Sequence, residues 1–239
     1  MDNLSVLTWT HSSYNDIWPM YFGQIEKFLD ISRHNVFIDK NCDEIPEYCN
    51  QLINDENNEY YLRFLNCLSQ VSEKYVLFMA EDFILYDKVE NEKIQRIVKF
   101  LNNTNYSCVR LIKSGVEGGD LVNADENIYE IPNSSQYHFS HQATIWKKDD
   151  LYKLYNFFKP SHLRDAELYG TFAMKSTNMK GCYVYNNEPR RGSLHFDSSV
   201  FPYISTAVCK GKWNLKQYPK ILRSIMKQYN VDYKLRGIY

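Results

Sequence analysis

The stretch Tyr75-Val76-Leu77-Phe78-Met79-Ala80-Glu81-Asp82-Phe83 decides how this chain is read. An apolar run this short reads as a buried strand, and it stops abruptly at two carboxylates. A strand with acids only at its carboxyl end delivers them to the crevice where open α/β sheets bind ligands. Adjacent acids in that place suggest a divalent cation, Mn2+ or Mg2+, holding a phosphorylated substrate, with Asp82 as the ligand and Glu81 as its helper. The competing reading is a solvated acidic strand end.

On either side of this strand the pattern alternates. Residues 4–10 read as a first strand running into the polar loop Thr10-His11-Ser12-Ser13-Tyr14. Asp16 is placed to cap the next helix, Pro19 suits its first turn, and Ile17, Tyr21, Ile25, Phe28 and Leu29 recur at helical spacing. A second strand at 35–38 ends in Asp39, and a polar loop follows to Pro46. Helical periodicity covers 59–71 and 89–101, with a further strand at 108–112. Regular alternation of strand and helix predicts an α/β fold with a mostly parallel central sheet and helices on both faces.

Past Ile112 the texture loosens, with Gly115, Gly118 and Gly119 close together. Strands are expected at 127–131, 137–146 and 182–185. Helices are expected from an Asp149 or Asp150 cap to Phe158, stopped by Pro160, and over 165–176 and 218–229. No repeat or long linker divides the chain, which predicts one domain over 1–239 with a variable C-terminal portion.

Composition narrows the partners. Against 28 Lys and Arg stand 29 Asp and Glu, a net charge of −1, so no basic field favours nucleic acid. Mean hydropathy is −0.52, and no apolar run approaches the roughly 20 residues of a membrane helix, which leaves only peripheral membrane contact. Residues 1–10 lack a basic region followed by an apolar core, so a soluble, cytoplasmic protein without a secretory signal is expected. Cys42, Cys49, Cys67, Cys108, Cys182 and Cys209 have no close pairing, which argues against zinc ribbons and redox motifs and for free thiols. The 20 tyrosines read as compositional bias rather than a carbohydrate platform.

Three blocks carry a family resemblance. Thr10, Ser13-Tyr14-Asn15-Asp16-Ile17-Trp18 and Tyr21-Phe22 form the first, and Glu81-Asp82-Phe83-Ile84-Leu85 the second. The third is His141-Gln142-Ala143-Thr144-Ile145-Trp146-Lys147-Lys148-Asp149-Asp150-Leu151, followed by Glu167. In this order they resemble small GT-A-type glycosyltransferases of polysaccharide and glycan assembly in bacteria and large viruses. The resemblance implies a GT-A-like (Rossmann-like) fold whose nucleotide-binding half is 1–112 and whose acceptor-side half is 113–239. It also implies a nucleoside-diphosphate sugar as donor, a glycan or lipid-linked glycan as acceptor, and metal-assisted transfer to an acceptor hydroxyl. That family usually shows two aspartates; here Ala80 and Glu81 stand where the first would fall.

Residue by residue, the resemblance places Thr10 and His11 against the base or ribose, with Tyr14 stacked on the base. Asp39 becomes a ribose or base contact, and Arg63 a diphosphate or base contact. Trp146 would pack against the donor sugar, although a core position suits it as well. Glu167 is the general-base candidate, with helix electrostatics as its other role. His195 would be a further metal ligand and Arg190 or Arg191 a guanidinium clamp on the diphosphate. A non-catalytic carbohydrate- or nucleotide-sugar-binding protein on the same fold is the alternative. A sugar nucleotidyltransferase would need a glycine-rich, basic loop after the first strand, and residues 8–16 contain neither glycine nor a basic cluster.

Overall fold

The computed structural model describes residues 3–192 and 194–239. Ser193, between the candidate residues Arg191 and His195, lies outside the described residues. So do Met1 and Asp2, at the start of the segment read for a secretory signal. The chain begins with β1 (Leu4–Trp9), a 3-10 turn (Ser12–Tyr14) and α1 (Trp18–Phe28), then β2 (His34–Ile38) and β3 (Cys49–Ile53). Next come α2 (Tyr60–Ser69), β4 (Tyr75–Ala80), β5 (Ile84–Leu85), α3 (Asn91–Asn102) and β6 (Cys108–Arg110). The second half holds β7 (Leu121–Asn123), β8 (Ile128–Glu130), β9 (Thr144–Lys147), α4 (Lys148–Phe158), α5 (Leu163–Ser176) and β10 (Gly181–Val184). Five short strands follow, β11 (Arg190–Arg191), β12 (His195–Phe196), β13 (Tyr203–Ile204), β14 (Val208–Cys209) and β15 (Lys212–Trp213), then α6 (Pro219–Gln228) and α7 (Tyr233–Arg236).

Nine strands form one sheet in the order β3-β2-β1-β4-β9-β6-β10-β8-β7, and within it β9 and β8 run against the others. The mixed α/β class, with a large and mostly parallel sheet between helices, follows from the strand–helix alternation of the sequence. The register positions the site. β1 pairs with β4 from Leu4 opposite Tyr75 to Trp9 opposite Ala80, and Trp9 also faces Phe37 of β2. The residues just past these ends, Thr10, Asp39 and Glu81, therefore emerge on one rim.

Successive strand side chains go to opposite faces. Val6, Val36, Leu77, Met79 and Ile145 join α1, α3 and the C-terminal segment in one apolar cluster. Leu7, Phe37, Val76, Phe78 and Trp146 join α2, α4 and α5 in another. Phe201, Tyr203, Trp213 and Leu222 sit in the first cluster with 1% exposure or less, so the C-terminal segment packs on the same layer as β1 and β4. Truncating Phe201 or Trp213 to alanine would cost about 3–5 kcal/mol.

Several local expectations change. β3 was not foreseen because Asn50 and Gln51 give it the look of a polar loop. Of the strand expected over 137–146 only 144–146 forms, within β9. The backbone before it is held by side chains instead of a ladder: Arg110 takes the carbonyls of Tyr137 and His138, and Phe139 N–H donates to Thr171 Oγ1. Asp16 caps nothing, since Ile17 occupies the N-cap of α1 and Asp16 pairs with Arg236. Lys147 holds the cap expected of Asp149 or Asp150 and His162 caps the helix expected over 165–176, while Asp149, Asp150 and Asp165 lie in the first turns, where negative charge suits the helix dipole. Among the described residues no helix is long and apolar enough to cross a membrane.

Candidate active site

Past β1 and β2 a polar cup forms. Asp39 Oδ1 accepts from the Ser12 amide at 2.6 Å and Oδ2 from the Ser12 hydroxyl at 2.7 Å. Burial pushes the Asp39 carboxyl up, but these Ser12 bonds outweigh it and leave the group below its ordinary value. His11 Nδ1 accepts from the Ser13 amide at 3.1 Å, and its Nε2 faces Asp39 Oδ2 at 3.8 Å and Glu56 Oε1 at 3.5 Å. Arg63 reaches Glu56 at 3.6 Å and lies over Trp9 and Tyr60. His11, Asp39 and Arg63, which the sequence nominated separately, thus meet in one place. Glu56 was missed because Asp55-Glu56-Asn57-Asn58 reads as an undistinguished polar loop.

His11, Asp39 and Glu56 form the one grouping of three metal-capable side chains among the described residues. Its chemistry does not fit a cation. With Nδ1 accepting from Ser13 N–H, neutral His11 carries its proton on Nε2, the atom facing the carboxylates, and so presents a donor where a metal would need a lone pair.

The acid pair sits one strand over. Burial pushes Asp82 up to about 7. Burial, followed by the Asp82 charge, pushes Glu81 up to about 8. Each side chain keeps partial solvent contact, yet protein encloses it on most sides. The Asp82 carbonyl accepts from Ala207 N–H at 3.2 Å and its Oδ2 from Val208 N–H at 3.4 Å, so the loop entering β14 roofs it. The nearby cation is Arg236 of α7, whose guanidinium forks onto Asp16, with Nε to Oδ2 at 2.9 Å, and lies 4.6 Å from the Tyr14 ring. Two neighbouring carboxyls, each driven toward its neutral form by burial, suit a divalent cation of the magnesium or manganese class, whose binding would displace their protons.

Five nominated residues, His195 among them, lie elsewhere than expected. Thr10 is 3% exposed, accepts from Trp18 Nε1 at 2.9 Å and supports the Glu81 carboxyl, so it lies beneath the acids rather than facing a base. Tyr14 is covered by Arg236 and lies in the field of Glu81 and Asp82. Trp146 is a core residue at 2% exposure, packed on Phe139, because its β9 register points it away from the rim. Arg191 binds both oxygens of Asp197 at 3.0 Å and lies over Tyr218, and neither partner belongs to the acid pair.

His195 joins a different group. Its Nδ1 is 2.8 Å from Ser114 Oγ, and its charge neighbours are Arg110 and Glu167 rather than Asp82. Burial and Arg110 lower it to about 4, so it is neutral at physiological pH. Glu167 Oε1 stands 3.5 Å from His141 Nδ1, and the His141 ring is braced through Nε2 by Tyr155 OH at 3.0 Å. His141 is the main cause holding the Glu167 carboxyl below its ordinary value, against the opposing effect of burial. An ionised, half-exposed carboxylate steadied by an imidazole can accept a proton from a hydroxyl. Tyr60 links the two ends of the rim, contacting Trp9 at 5.2 Å and Tyr155 at 6.4 Å between ring centres.

No protein-family model and no curated protein matches the chain. Solved structures do match in fold. S. aureus TarS 1-349 superposes with a TM-score of 0.51 at 16% identity, over 96% of this chain and 64% of that one. The mannosyltransferase PcManGT from Pyrobaculum calidifontis, in complex with GDP-Man and Mn2+, gives 0.51 at 12% identity, over 80% of this chain and 58% of that one. CMP:2-keto-3-deoxy-manno-octonic acid synthetase complexed with CTP gives 0.53 at 9% identity, over 95% and 99%. The chain thus spans less than two thirds of the first two, and at these identities the likeness is one of fold.

Proposed function

We propose that the chain is a nucleotide-sugar-dependent glycosyltransferase, passing a sugar from a nucleoside-diphosphate donor to the hydroxyl of a glycan acceptor. The observation that supports it most is the division of labour along one rim: an acid pair in want of a cation at the end of β4, and an ionised Glu167 on the acceptor side. A GT-A-type neighbour, PcManGT, was solved with GDP-Man and Mn2+, which matches the hard-oxygen chemistry of Glu81 and Asp82. A bound Mn2+ or Mg2+ would neutralise charge on the departing diphosphate.

The protein's own groups supply the rest. The Asp39, His11 and Arg63 cup offers an acceptor, a donor and a cation to the nucleoside or its phosphates. Arg236 lies beside the acids and adds positive charge where the diphosphate would rest. Glu167, oriented by His141 and Tyr155, takes the proton as the acceptor oxygen attacks the anomeric carbon. A second reading, a nucleotide-sugar-binding protein without turnover, rests on the Ala207–Val208 roof over Asp82.

Calorimetric titration with UDP, GDP, dTDP and CMP, each with and without Mn2+, tests the donor site, and a donor-hydrolysis screen over the corresponding sugar nucleotides tests turnover. Binding with hydrolysis supports the transferase, and binding without it in the presence of varied acceptors supports the second reading. If no nucleotide binds, both fall.

A further inference from the structure

A cavity of about 620 Å³ lies beside the candidate reaction centre, lined among others by Lys113, Gly115, Glu117, Tyr137, Arg190 and Phe196. Its relation to the centre is fixed by the backbone. Ser114 and His195 form an antiparallel bridge, with their side chains bonded to each other on the Glu167 side. The flanking residues Lys113, Gly115, Leu194 and Phe196 line the cavity, so it occupies the opposite face of that bridge, one strand pair away.

Buried Arg110 holds both walls. Its guanidinium donates to Ser114 O at 2.9 Å on one wall, and to Tyr137 O at 2.8 Å and His138 O at 3.3 Å on the other. The same guanidinium lies in the field of Glu167. The Tyr137 ring packs so closely on Gly115 that a Cβ there would lie 2.4 Å from it. A space whose two walls are tied to one buried cation, itself coupled to the candidate base, is a built site.

The lining chemistry selects a ligand class. Lys113 Nζ sits 4.4 Å from the Tyr185 ring centre and 4.9 Å from that of Phe196, and it has no carboxylate partner within 4 Å among the described residues. Arg190 also lines the cavity, and Glu117 is the single acid among the lining residues. Tyr137 and Phe196 offer ring surface, and Ser134, Ser135 and Gln136 offer hydrogen-bonding groups, the combination that sugar rings use.

We infer that this cavity is an acceptor subsite for a saccharide bearing a carboxylate or phosphate, seated next to the sugar whose hydroxyl reaches Glu167. The assignment rests on the transferase reading for the word acceptor, and the test separates the two. The full chain is titrated with cellobiose, cellobiouronic acid and a cellobiose monophosphate, and independently with nucleoside diphosphates. The charged disaccharides should bind at least about tenfold more tightly than cellobiose, the scale of one charge-assisted hydrogen bond. The tighter of the two identifies the anion.

Lys113→Met, which keeps the stem over the two rings, and Lys113→Glu should each erase the preference while leaving the melting temperature near that of the parent. The Met variant decides if the Glu variant does not fold. Equal binding of charged and neutral disaccharides, or a preference that survives in Lys113→Met, overturns the assignment. If the charged disaccharides bind and no nucleotide does, the saccharide site stands and the transferase reading falls. If nucleotides bind and no disaccharide does, the cavity assignment alone falls.

Discussion

Asp82 and Glu167 are carboxylates of one candidate site, and their surroundings drive them in opposite directions. Around Asp82 the protein supplies enclosure that the long bond from Val208 N–H does not offset, so its carboxyl rises to about 7. Around Glu167 it supplies an imidazole braced by Tyr155, so its carboxyl falls below the ordinary range despite partial burial. The first arrangement disfavours the charged form until a cation shares the site, and the second keeps a carboxylate ionised at neutral pH. On the proposed transferase reading, the two roles of a metal-assisted displacement would thus be separated by environment rather than by residue type.

The contrast is broken most severely at its ionised end. Glu167→Gln keeps the shape and removes the base, so sugar transfer should fall about a thousandfold while nucleotide affinity stays within about twofold. Single-turnover kinetics beside a nucleotide titration checks both halves, and a variant that transfers at the parental rate removes Glu167 from the chemistry. At the other end, Asp82→Asn should lower turnover about a hundredfold and abolish any strengthening of nucleotide binding by Mn2+. Manganese-dependent affinity that survives in Asp82→Asn would move the cation elsewhere.

A smaller effect sharpens the difference. His141→Phe removes the first cause of Glu167's lowered pKa, so the carboxyl should rise back toward its ordinary value or beyond. The acid limb of the kcat/KM profile then moves to higher pH, with a loss at neutral pH of about tenfold from the missing orienting contact. An unmoved acid limb would mean that His141 does not set the protonation of the base.

The two ends were unequally legible in the sequence. The apolar run before Glu81-Asp82 announced both the strand and its rim position, because strand burial and terminal charge are local signals. Pairing of Asp39 with Ser12 and His11 was half visible, since each residue ends or follows a strand. The contacts that assign the remaining roles are long-range. His141 meets Glu167 across α4 and α5, His195 meets Ser114 across 81 residues, and Arg236 meets Asp16 across 220. No local spacing encodes such meetings, which is why His195 was given to the metal and Asp16 to a helix cap. For Trp146 the core reading holds and the sugar contact does not, because one strand alone does not tell which of its faces meets α4 and α5.

The mildest prediction concerns the cup beyond β2, a third carboxylate that lies with Glu167 in this contrast. Asp39 is held low by the hydroxyl and amide of Ser12 against the opposing pull of burial. Ser12→Ala deletes one of those two bonds and should cost about 1–2 kcal/mol at pH 7. A carboxyl lowered in the folded state stabilises it above the unfolded value of 3.8, and that contribution disappears as pH falls through the folded value. The gap between parent and Ser12→Ala in urea unfolding should therefore be full at pH 7 and narrow by pH 3. A gap of equal size at both pH values would show that the hydroxyl serves loop packing alone, and that the Asp39 end of the rim is not charge-tuned as the Glu167 end is.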